Sequence, residues 1–119
     1  MGKIVFLCVL SIVYSVAQSE IKGLSTDLQT ACLQCHQAEQ IPSSLVYRRY
    51  LMRYSTPDRI SKAMFRYLKN PSTSDSIMPS QFFLKFPMKE KMKMDDALLK
   101  AYIHLYIEKF DVKKRLVLP

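Results

Sequence analysis

The amino-acid sequence predicts an all-α domain of about four helices, and three observations carry that reading. Glycine occurs only twice in 119 residues, so the positive-φ positions that tight β-hairpins draw on are scarce. Apolar residues recur at helical spacing in successive windows. The breaks between those windows fall at Ile41-Pro42, Thr56-Pro57-Asp58 and Asn70-Pro71, where proline excludes a continuing helix. A chain of 13.9 kDa with 49% hydrophobic residues builds one core, which excludes a multidomain enzyme. Two glycines also rule out a glycine-rich phosphate cradle or a dinucleotide-binding turn.

The first segment is read as a leader. Lys3, the apolar run from Ile4 to Val13 and the small-x-small site Ser15-Val16-Ala17 are the three parts of a secretory signal peptide. Residues 1–17 are therefore expected to be cleaved, removing Cys8 and leaving a domain over residues 18–119. The stretch Ile4 to Ala17 falls short of the roughly 20 apolar residues that cross a bilayer. The mature chain is thus expected to have no membrane span, and retention of the leader would anchor it.

Ser25 or Thr26 caps a first helix that runs through Leu28, Ala31 and Cys32 and closes at His36. After Pro42, residues Ser44 to Tyr54 set Tyr47, Tyr50, Leu51 and Tyr54 on one helical face, with Arg48, Arg49 and Arg53 opposite. Pro57 and Asp58 open a third helix in which Ile60, Ala63, Met64, Tyr67 and Leu68 form the apolar stripe. Residues 70–94 read as one long loop, a length that in a small domain usually serves a function. A final helix from Asp95-Asp96 carries a wide stripe of Leu99, Tyr102, Ile103, Tyr106, Ile107 and Phe110, with Lys100, His104, Glu108 and Asp111 facing away.

Chemistry concentrates in Cys32-Leu33-Gln34-Cys35-His36, the c-type haem attachment pattern. Shuffling this composition would give that pattern by accident roughly once in a thousand chains. On a helix, residues i and i+3 share a face, so two thiols can reach two vinyl groups on one porphyrin edge. His36 can then bring an imidazole nitrogen to the iron as its proximal ligand. A disulfide suits an exported chain, but a thioredoxin-like pair lacks its βαβ surroundings. A zinc site lacks a second ligand pair.

The opposite side of the iron has Met52, Met64, Met78, Met88, Met92, Met94 and His104 as candidates. Met64 lies on an apolar stripe and reads as core filling, and His104 lies on a polar face. Met78 sits in Ser76-Ile77-Met78-Pro79-Ser80, where no helical period accounts for it, and Pro79 restricts it to extended backbone. It is the expected distal ligand, with Met88 of Phe86-Pro87-Met88 as the alternative. Only two histidines occur, and no catalytic dyad or triad can be composed, so an enzyme is not expected.

With these residues in place, the chain resembles the small class I c-type cytochromes, single-haem exported bacterial proteins. The matching features are the leader, the Cys32-to-His36 motif ending the first helix, Met78-Pro79 downstream and an aromatic C-terminal helix. The resemblance implies the small cytochrome c fold, about four helices around one covalently attached haem c, with the first and last helices crossing. It also implies that the carbonyl of Pro42 receives the second ring N–H of His36 and orients it. The chain departs from the family in having Leu24 and Leu28 where a small and an aromatic residue are common, and in lacking tryptophan.

His36/Met78 ligation implies a periplasmic one-electron carrier, since a six-coordinate iron leaves no open position for substrate. Two alternatives follow: the haem-bearing subunit of a larger exported oxidoreductase, or a five-coordinate haem that senses or binds small ligands if Met78 does not ligate. The formal net charge of +8 falls by one if Lys3 leaves with the leader. The positive residues form no concentrated tract, and an exported chain meets no nucleic acid. Lys85, Lys89, Lys91 and Lys93 are instead expected to rim the haem opening and steer redox partners with acidic docking surfaces. The expected state is a monomer or a subunit of a redox complex.

Overall fold

A computed structural model describes residues 27–38 and 41–115, with the side chains of 114 and 115 excepted. The expected leader, Gly23, Leu24, the Ser25/Thr26 cap and the last four residues lie outside the described residues. Those described are predominantly helical, and none lies in a strand.

The first helical segment is not a plain α-helix. Residues 27 and 28 lead into a π turn at Gln29–Leu33, closed by the Gln34 N–H on the Gln29 carbonyl, and then into α1 (Gln34–Ala38). The wider turn brings Leu28 and Leu33, five positions apart, into the core at 3% and 4% exposure. Leu33 was not part of the expected apolar face. The segment also continues two residues beyond the expected close at His36.

α2 (Ser43–Tyr54) starts directly after Pro42, one residue before the expected position. It buries Val46, Tyr47 and Tyr50 and leaves Arg48 and Arg53 exposed. Its end turns on Ser55, which holds the left-handed φ of 64°. Thr56 then caps α3 (Pro57–Lys69), accepting the Arg59 N–H at 3.4 Å, with Pro57 at the first helical position and Asp58 in the first turn. Ile60, Ala63 and Met64 face inward. Met64 is thus a core residue.

Residues 70–94 depart from the expected uninterrupted loop in one respect. Phe82–Lys85 form a short helical turn, α4, on which Phe82 stacks against Phe86 at 4.6 Å between ring centroids. The following segment is pinned to the end of α3: the Met92 N–H donates to the Leu68 carbonyl at 2.8 Å, and Lys69 donates to the Met94 carbonyl at 2.9 Å. Both contacts satisfy groups that lack helical partners.

α5 (Asp96–Phe110) begins with Asp95 accepting the N–H groups of Ala97 and Leu98 at 2.9 and 3.3 Å. Lys69 also pairs with Asp96 at this end. The stripe Leu99, Tyr102, Ile103, Tyr106 and Ile107 is buried as its spacing predicts, and Lys100, His104 and Glu108 are exposed. A short 3-10 turn at Val112–Arg115 follows.

The core forms chiefly where α5 packs on α3 and α2. The Tyr106 hydroxyl donates to the Ser43 carbonyl at 2.6 Å and ties α5 to the start of α2. The first helical segment joins the same cluster through Leu28 and Leu33. Ile60 is completely buried and lies within this helical interface. Ile60→Ala is expected to destabilise the protein by about 2–5 kcal/mol, the cost of a truncated core aliphatic that its neighbours cannot refill. Urea unfolding with an unchanged m-value is the check.

Candidate functional site

One apolar cavity of about 350 Å³ opens between the helices and the long loop. Its volume lies within the range of sites that hold cofactor-sized molecules. The first helical segment supplies Ala31, Cys32, Cys35 and His36, and α5 supplies Leu99, Tyr102, Ile103 and Tyr106. Val46 and Tyr50 of α2 and Tyr67 and Leu68 of α3 continue the wall. The loop closes it with Ile77, Met78, the aromatic group of α4 and Met88.

The helical geometry explains why the motif residues meet there. Cys32 lies within the π turn and Cys35 three residues on in α1; both line the cavity, Cys32 half-buried and Cys35 exposed. Neither cysteine is in a disulfide. Burial pushes the Cys32 thiol up, nearby Lys89 opposes that shift and Cys35 adds to it. For His36, burial and then Lys89 both lower the pKa, which favours the neutral imidazole that ligates metals. The His36 carbonyl accepts the Ile41 N–H at 2.9 Å and anchors the residue from its backbone side.

Of the sulfur candidates, Met78, Met88 and Met92 line the cavity. Met52 is 78% exposed, Met64 fills the core and Met94 packs against it. His104 stands in solvent, with Nε2 3.7 Å from Glu108. Besides the Met92 N–H on the Leu68 carbonyl, the other two cavity methionines also have hydrogen bonds. The Met78 N–H donates to the Ser76 hydroxyl at 3.1 Å, and the Tyr67 hydroxyl donates to the Met88 sulfur at 3.6 Å. The cavity wall therefore includes two cysteines, one histidine and three methionines, while among the described residues no three His, Cys, Asp or Glu side chains are grouped to hold a metal ion.

Pro42 serves the start of α2: its carbonyl receives the N–H groups of Leu45 and Val46 at 2.9 and 3.2 Å. Among the described residues no hydrogen bond joins it to the His36 ring, although the two share a shallow hollow with Ile41. Among the four lysines, Lys89 lines the cavity, while Lys85, Lys91 and Lys93 are exposed on the adjoining chain. Lys85 sits 5.5 Å over the ring of Phe86, a cavity residue.

The wall residues Tyr50, Tyr67, Tyr102 and Tyr106 were legible only as helix-facing core. The same period marks a residue that packs on protein and one that packs on a ligand. Phe82, Phe83 and Phe86 carried no period at all, and the density of aromatic residues in Gln81 to Phe86 was the available signal.

No protein-family model, curated protein or solved structure matches this chain.

Proposed function

We propose that this protein is a periplasmic one-electron carrier holding one covalently attached haem c. The observation that supports the reading is that Cys32, Cys35, His36 and Met78 all line one largely apolar cavity. The donor set fits the group. Two thiols one helical turn apart suit two thioether links, the adjacent imidazole suits the proximal position, and a thioether suits the distal one.

When bound, the haem supplies a single ferrous–ferric couple. Cys32 and Cys35 hold the macrocycle by covalent links that cannot dissociate, which a chain this small needs to retain a flat apolar group. His36 and Met78 would hold the iron and leave no position for substrate, and the neutral sulfur would favour the reduced state relative to bis-His ligation. Tyr50, Tyr67, Leu99 and Ile103 line the cavity and would exclude water from the bound group. Lys89 and its neighbours present positive charge where an acidic redox partner would dock. Met88, with its sulfur tied to Tyr67, is the alternative distal ligand. The signal-peptide pattern read in residues 1–17 supports the periplasmic localisation.

The test is the fate of the pigment. Protein matured in an export-competent host and then denatured is expected to keep all of its colour in the protein fraction after extraction with acidified organic solvent. Colour passing into the solvent, or protein without colour, overturns the reading.

A further inference from the structure

The segment that carries Met78 has no regular secondary structure, so neighbouring groups must fix it. Ser72 opens a tight turn. Its hydroxyl accepts the Asp75 N–H at 3.2 Å and donates to the Asp75 carboxylate at 3.1 Å, and the Ser76 N–H reaches the Ser72 carbonyl at 3.0 Å. Arginines from two helices then grip the turn. Arg66 of α3 donates through Nε to Asp75 at 3.0 Å. Arg53, in the last turn of α2, donates through Nη1 to the Ser76 carbonyl at 3.0 Å and through Nη2 to the Ser74 carbonyl at 3.5 Å.

Ser76 is 3% exposed, and its hydroxyl accepts the N–H of Met78 at 3.1 Å. A chain of hydrogen bonds therefore runs from α2 through Ser76 to the backbone of Met78. The guanidinium of Arg53 also lies 5.6 Å from the ring centre of Tyr54, which stacks on the cavity residue Tyr50. The two arginines differ in weight. The Arg66–Asp75 pair has 58% and 29% of its side chains exposed, and such pairs contribute little. Arg53 is itself exposed but serves the carbonyl of buried Ser76 with a charged, forked donor, and its loss would leave that carbonyl unpaired.

We infer that Arg53 is a positioning residue for the Met78 thioether: clamped on the Ser74 and Ser76 carbonyls, it holds the loop so that Met78 stays at the cavity wall. This rests on the proposed His36/Met78 ligation. A neutral thioether holds iron only while the chain keeps it in place, and each loosening of the loop raises the fraction of molecules with the sulfur off.

Imidazole reads that fraction, because it binds only when the sulfur has left and its apparent affinity scales with the open population. In the ferric full-length holoprotein, Arg53→Gln is expected to tighten imidazole binding about tenfold, the size of one lost charged hydrogen bond. Arg53→Lys keeps the charge but not the fork, and is expected to fall between it and wild type. Arg66→Gln should stay within about twofold of wild type. Met78→Ala should bind tightest of all. Wild-type imidazole affinity in both Arg53 variants overturns the inference even if their melting temperatures drop, and leaves the ligation standing provided Met78→Ala binds more tightly. Unchanged affinity in Met78→Ala overturns the ligation and the inference with it.

Discussion

Met78→Ala is expected to convert the ferric protein from a low-spin to a high-spin spectrum, abolish the weak long-wavelength charge-transfer band of sulfur on iron, and lower the reduction potential. The drop should be on the order of 0.1–0.2 V, a fraction of the ~0.8 V that axial ligands span. Optical and magnetic spectra with a redox titration are the measurements. Met88→Ala is the paired control. Both methionines line the cavity, but the environments differ: Met78 is tied by its backbone to a buried serine, Met88 by its sulfur to Tyr67. If Met78 ligates, Met88→Ala keeps the charge-transfer band and moves the potential only slightly. Loss of the band in Met88→Ala with its retention in Met78→Ala would transfer the distal role to Met88. A high-spin ferric wild type would favour the five-coordinate sensor instead.

The second large effect concerns the thiols. Cys32→Ser with Cys35→Ser is expected to remove covalent attachment entirely, so that any pigment left in the protein moves into acidified organic solvent on denaturation. Either single substitution leaves one link and should retain colour in the protein fraction at reduced yield. The double variant is also expected to accumulate poorly. The first helical segment contributes only Leu28 and Leu33 to the buried cluster, and a group that binds the folded state alone stabilises it. Equal, solvent-resistant colour in wild type and the double variant would rule out attachment through these sulfurs.

Much of the fold was readable residue by residue because its punctuation is local. Thr56-Pro57-Asp58 and Asp95-Asp96 start helices wherever they occur, since the capping oxygen, the fixed proline φ and the acidic first turn act within one turn of chain. The stripes of α3 and α5 follow from period alone. Local signals failed at the π turn, where one extra residue rotates Leu33 inward. They also failed at α4, whose four residues are too few to show a helical repeat. Pro42 was legible as a break, whereas the partner of its carbonyl depended on where α2 begins.

By itself, the sequence determined the all-helical class, the starts of α3 and α5 and the adjacency of Cys32, Cys35 and His36, because each depends on residues a few positions apart. Only the tertiary structure decided which methionines reach the cavity, that Tyr50, Tyr67, Tyr102 and Tyr106 line it, and that Arg53 hydrogen-bonds to the Ser76 carbonyl 23 positions away. A loop has no repeat that encodes its path. Its position is set by hydrogen bonds and packing to residues distant in the chain, and these exist only after the helices have docked.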